Sequence, residues 1–205
     1  MRAWAFWVAL VVGVWALTPA FADERPRVGQ LAALQGTVAL AGPLERRGLT
    51  GGEVLRAGDR LVTGAGSRAL VQLEGGLTVV VGAASELVVQ RAAREGGPWS
   101  TLVELATGVV RAVLSAPTAG AEVQIQTTFA VTSVRSTEWT VEQSAEGTAV
   151  FAQSGSVAVD AAGEQVVLAA GQGTDIAPGA APTPPIAWGA PRVADTLERT
   201  AFRVR

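Results

Sequence analysis

The stretch GDRLVTGAGSRALVQL, residues 58–73, allows two opposed readings. Its Gly64-Ala65-Gly66-Ser67 loop is either a phosphate cradle or a turn between strands. A phosphate loop continues into Lys-Ser/Thr and opens a helix, whose N-terminal N–H groups face the anion. This loop is followed by Arg68 and a strand-like run to Leu73, so the physics of an anion site is missing. Gly58-Asp59 turns the chain into a short strand at 60–63, and the glycine loop turns it again into 68–73. The stretch reads as strand, turn, strand.

The same grammar extends outward. Runs rich in Val, Leu, Ile and Thr recur at 36–40, 77–82, 85–90, 108–114, 121–127, 147–153, 155–160 and 164–171, punctuated by Gly. At 121–127, Val123, Ile125 and Thr127 alternate with Glu122, Gln124 and Gln126, the period of a half-buried strand. Turn signals come about every 8–12 residues, the rhythm of a sandwich, barrel or β-helical stack. No helical stripe is sustained within 28–176. The expected fold class is all-β, a jelly-roll-like β-sandwich or a β-helical stack of short Gly-punctuated strands. Gly-x-Val recurs at Gly36-Thr37-Val38, Gly108-Val109-Val110 and Gly155-Ser156-Val157, at intervals too unequal for a solenoid.

One strand stands apart. VTSVRSTEWTVE, residues 131–142, places Arg135 and Glu138 inside an apolar run. Strict alternation drives Arg135 into the core beside Trp139. A bulge at Arg135-Ser136 instead turns Val134 and Trp139 both inward and frees Arg135 to reach Glu138 or a turn carbonyl. An unpaired buried charge is so costly that a structural pair is the first reading and a binding hot spot the second.

The ends set compartment and domain layout. Arg2, the apolar run 3–17 and Ala20-Phe21-Ala22 before a charged segment have the order of a secretory signal peptide over 1–22, cleaved after Ala22. The apolar run is shorter than the ~20 residues that cross hydrocarbon, so no stable membrane span is expected after cleavage. A periplasmic or secreted location follows. The β domain spans 28–176. Residues 177–191 form a Pro/Ala/Gly-rich linker expected to be extended and mobile. In the tail, 192–205, Val193, Leu197, Ala201 and Val204 recur at helical spacing, either a short helix or a frayed end.

Composition removes much chemistry. The chain has 205 residues and a formal net charge of −2, one unit more negative once Arg2 leaves with the leader. Nucleic acid is thereby excluded as a partner, since phosphate binding needs a basic surplus. Cys and His are both absent, which rules out disulfides, an ordinary zinc, copper or haem site, a Ser-His-Asp triad and a thiol nucleophile. No catalytic, cofactor-binding or metal residue is assigned. Carboxylate pairs such as Glu138 with Glu142, or Glu74 with Glu86, have no surrounding motif, and a glycosidase reading is poor.

The ordered motifs resemble the FecR domain family. Gly36-Thr37-Val38 is similar to its opening strand, and Leu55, Gly58, Asp59, Leu61, Thr63, Gly64, Gly66 and Ser67 to its second segment. Val134, Arg135, Ser136, Thr137, Glu138, Trp139 and Val141 look like its most distinctive element, in which Gly stands where this chain has Ser136. Gly155-Ser156-Val157 and Leu168, Ala170, Gly171, Gln172 and Thr174 resemble its end. The resemblance implies a signature of Gly58, Asp59, Thr63, Arg135, Thr137, Glu138, Trp139, Gly155 and Gly171, structural first and binding as the alternative role. It further implies a stand-alone protein-interaction or signal-input module in the cell envelope, without the anti-sigma and membrane segments. The expected partner is another envelope protein. The alternative is a glycan-binding module, which needs exposed aromatic platforms.

Overall fold

In the computed structural model, residues 24–42, 45–93, 100–115, 122–134 and 137–202 are described. The first runs become β1 (Arg27–Gln35), β2 (Val38–Ala41), β3 (Arg46–Gly48), β4 (Val54–Arg56), β5 (Arg60–Thr63) and β6 (Arg68–Leu73). β7 (Leu77–Val81), β8 (Glu86–Ala93) and a long β9 (Ser100–Leu114) follow. Next come β10 (Glu122–Gln126), β11 (Val131–Val134), β12 (Glu138–Ser144), β13 (Gly147–Ser154) and β14 (Ser156–Ala161). After β15 (Glu164–Ala169), β16 (Gln172–Ile176) and β17 (Ile186–Ala187) comes α1 (Ala190–Arg199). The chain is all-β but for that helix.

Pairing sorts the strands into two sheets that share β9. Sheet A runs β4-β1-β6-β7-β9-β12-β13-β16-β17. Sheet B runs β3-β2-β5-β8-β9-β10-β11-β14-β15. Among the described strands every pair is antiparallel except β9–β10. Through β9 the two sheets form one continuous mixed network. Inward rows of both merge in one core. Leu31, Val71, Val110, Trp139 and Val150 come from sheet A, and Val38, Leu61, Leu87, Ile125 and Leu168 from sheet B.

β9 shows how a strand serves both sheets. Thr101, Val103 and Leu105 are buried in its first half, and Val110, Ala112 and Leu114 in its second. Side chains alternate across a strand, so a strand that changes sheets must change parity to keep its apolar side on the core. The switch falls at an irregularity opposite Glu86-Leu87 and at Gly108, whose φ is +97°. The same logic explains the recurring Gly-x-Val. Gly36 lies between β1 of sheet A and β2 of sheet B, and Gly155 between β13 of sheet A and β14 of sheet B. Each copy marks a passage between sheets, which accounts for the unequal spacing.

Val134 and Trp139 are both inward, five positions apart, because the chain passes from sheet B to sheet A between them. The bulge expected at Arg135-Ser136 lies outside the described residues.

The segment read as a mobile linker is laid along sheet A. Thr174 Oγ1 donates to Thr183 O at 2.7 Å, and β17 pairs with β16. Trp188 stacks on Phe151 with ring centroids 4.9 Å apart and fills the space over Gly173. Arg68 donates from its guanidinium to the carbonyls of Glu198 and Arg199, tying down the C-terminal end of α1. Phe151, Thr140, Val109 and Val80 alternate with core residues on sheet A, yet all four are buried on its outer face.

Candidate functional site

The residues singled out in the sequence sit at separate corners. Asp59 accepts the Arg56 N–H at 2.8 Å and pairs with Arg25 at 2.8 Å, closing the Gly58 turn onto the first described residues. Thr63 is buried. Its Oγ1 donates to Gly82 O at 2.6 Å and accepts the Ser85 N–H at 2.9 Å. Thr137 Oγ1 donates to Ser156 O at 3.0 Å, joining the start of β12 to the corner after Gly155. Gly171 donates its N–H to Ala152 O and accepts the Trp188 N–H. Arg135 lies outside the described residues. No hydrogen bond or ion pair joins these groups to one another among the described residues.

Two corners share one construction. Ser67 Oγ accepts the Thr37 N–H at 2.9 Å, and the Gly64 N–H donates to Thr37 O at 2.9 Å. Ser85 Oγ accepts the Val109 N–H at 3.0 Å, and the Gly82 N–H donates to Val109 O at 2.8 Å. Thr63 then bridges the two corners through its bonds to Gly82 and Ser85. The Thr-Gly-x-Gly-Ser pattern is thus a lock at the crossings between sheets. Ser85 was missed by sequence reading, although Gly82-Ala83-Ala84-Ser85 repeats the spacing of Gly64-Ala65-Gly66-Ser67.

Each carboxylate considered for catalysis has an arginine partner. Glu138 accepts from Arg111 Nε at 2.6 Å, and Glu142 pairs with Arg199 at 2.6 Å. Glu74 pairs with Arg27, and Glu86 with Arg60. Glu53 is held below the ordinary carboxylate range by the Thr50 N–H and by Arg47, and Glu146 by the Ser144 hydroxyl. No group of three potential metal ligands occurs among the described residues. Four aromatic side chains of the described residues, Phe129, Trp139, Phe151 and Trp188, are engaged too. Trp139 is fully buried, Phe129 is half-buried against the core, and Trp188 meets both Phe151 and the Arg192 guanidinium, 3.6 Å from its centroid.

What remains is surface, and the sheet edges differ sharply. β3 carries exposed Arg46 and Arg47. β4 is three residues long between Glu53 and Ala57, and β17 is two residues long after Pro184-Pro185. Charge, brevity and proline are the usual guards of an edge. β15 has none of these over Gln165–Ala169: it is six residues long, bonded to β14 on one side, with Val167 56% exposed. Beside it, Glu122, Ser133, Val134, Ser156, Ala158 and Val167 line a groove of about 390 Å³.

Comparison with known proteins fits this architecture. The family model described as FecR protein matches residues 59–158. Residues 59–158 are a FecR domain. No curated protein matches the chain. Two crystal structures of a proposed anti-sigma factor from Parabacteroides distasonis ATCC 8503 are similar, each at 21% identity and a TM-score of 0.56. They cover 67% of this chain, and this chain spans 64% and 63% of theirs, so the likeness concerns the fold. The FecR match begins at Asp59, inside the turn before β5, and ends in β14, so it contains the Thr63 lock, both halves of β9 and the Thr137 corner.

Proposed function

We propose that this chain is a periplasmic or secreted FecR-type module that takes in or relays a signal by binding another envelope protein. The observation that carries the reading is the edge of β15, unpaired among the described residues, in sheets whose other edges are guarded. The FecR match supports a regulatory and non-catalytic role, as do the four arginine-paired carboxylates. Among the described tryptophans a glycan platform finds no support, because Trp139 is buried and Trp188 is stacked. The tail is packed on sheet A, so deletion at Ala177 exposes Phe151 and does not simply remove a free docking arm.

The test is affinity capture of the full chain from envelope extracts, with partners named by mass spectrometry and N-terminal sequencing of the exported form. Recovery of one reproducible envelope protein, on a chain beginning at Asp23, is expected. A chain retained in the cytoplasm, or capture of polysaccharide alone, would overturn the proposal.

A further inference from the structure

The β15 edge is built to receive more than a generic contact. Ala169 donates its N–H to the Gln172 side chain at 2.9 Å, away from β14. In an antiparallel strand the N–H and C=O of one residue share a side, and neighbours alternate. Val167 and Gln165, two and four positions back, therefore present their backbone donors and acceptors outward, and β15 pairs with no second strand among the described residues. On the outer face Val167 stands opposite Ala158, and Ala158 opposite Ser133. This row of small side chains leaves the groove beside Val167 open. Its charge is one-sided. β10, β11, β14 and β15 contain Glu122, Asp160 and Glu164 and no basic residue.

We propose that β15 accepts an extended segment of a partner protein as an added strand, one carrying apolar side chains flanked by Arg or Lys. The inference rests on the interaction reading given above and names the edge and the partner's chemistry. The segment's backbone pairs with Gln165 and Val167, an apolar side chain packs against Val167 at the mouth of the groove, and a basic residue on the same face meets Asp160, which stands opposite Gln165. Backbone pairing supplies affinity, and alternate side chains supply selectivity. A second copy fits less well. Its β15 brings the same acidic residues, and an edge pairing alone buries far less than the ~1,200 Å² of a stable dimer.

The probe is a fluorescein-labelled peptide, Arg-Thr-Val-Thr-Val-Thr-Arg, blocked at both ends, with a Glu-ended counterpart of the same core. Fluorescence anisotropy with the full chain should show the basic peptide binding at least tenfold tighter, with affinity falling as salt rises. Val167→Pro removes an N–H that β14 does not use, so the fold should survive while binding drops at least tenfold. Val167→Arg, on an exposed side chain, gives the same loss by charge if the proline variant fails to fold. Equal binding of both peptides, or unchanged binding by Val167→Arg, overturns the inference, as does a dimer that Val167→Arg dissociates. A photoreactive residue placed in turn at Val167, Gln72 and Glu198 separates the two levels in cells. Crosslinks to a protein from Gln72 or Glu198 alone leave the interaction reading standing and remove this one, whereas no crosslink from any site removes both.

Discussion

Replacing Gly108 with Ala tests the account of the sheet crossings. Gly108 has φ +97°, and a Cβ there would lie 2.5 Å from Ser85 Cα and closer still to Ser85 Oγ. The backbone conformation alone costs an L-residue about 1–2 kcal/mol. Overpacking against a backbone that cannot retreat adds about 1–3 kcal/mol. Ser85 cannot move freely, because its Oγ holds the Val109 N–H and its own N–H is held by Thr63. Gly171 is the control. Its φ is +82°, but a Cβ there meets nothing within 4 Å, so Gly171→Ala reports the conformational part alone. Equilibrium urea unfolding of both variants should place Gly108→Ala lower in stability than Gly171→Ala by about 1–3 kcal/mol. Against a total of about 5–15 kcal/mol for a domain, the larger loss is easily measured. If the two variants lie within about 0.5 kcal/mol of each other, the crossing is not sterically locked and the argument fails.

Three further outcomes are expected. Ala162 (φ +49°) and Gly163 (φ +81°) join β14 to β15, and that pair of positive φ values favours Asn-Gly, so Ala162→Asn should stabilise by roughly 0.5 kcal/mol, read as a higher urea midpoint. Trp188→Ala removes the stack on Phe151 and the seat of Arg192, so trypsin should cleave after Arg192 several-fold faster while the β domain stays intact. The Glu53 carboxyl, depressed by the Thr50 N–H and Arg47, should titrate below the ordinary carboxylate range by NMR. Its contribution is then present above the unfolded-state value and lost as pH falls through the folded one, and Thr50→Pro, which removes that N–H, should move the midpoint back up.

The strands were legible because Gly turns and period-two patterns are local properties of the chain. Gly36, Gly108 and Gly155 could be seen to recur, but their meaning as crossings needed the pairing of β1 with β6 and of β2 with β5. Glu138 was legible as a charge requiring a partner. Its partner Arg111 comes from 27 residues away, brought to the diagonal position by the register of β9 and β12, and local sequence does not encode that register. The linker, residues 177–191, was read from its Pro, Ala and Gly content as mobile. Composition is blind to the fit of Trp188 over Gly173 and Phe151, which depends on a glycine one strand away. The openness of β15 was equally hidden, since an edge is defined by which strand fails to pair with it.

The central claim is that this chain meets its partner along β15, just beyond the segment matched to the FecR family. Because the chain has no lysine, amine-reactive crosslinkers have no attachment point on β15, and a photoreactive residue at Val167 in living cells is the direct measurement. The account predicts one dominant adduct with another envelope protein, lost when Asp160 is changed to Asn and Glu164 to Gln. An adduct that survives those changes, or none at Val167 while other faces crosslink, would contradict it.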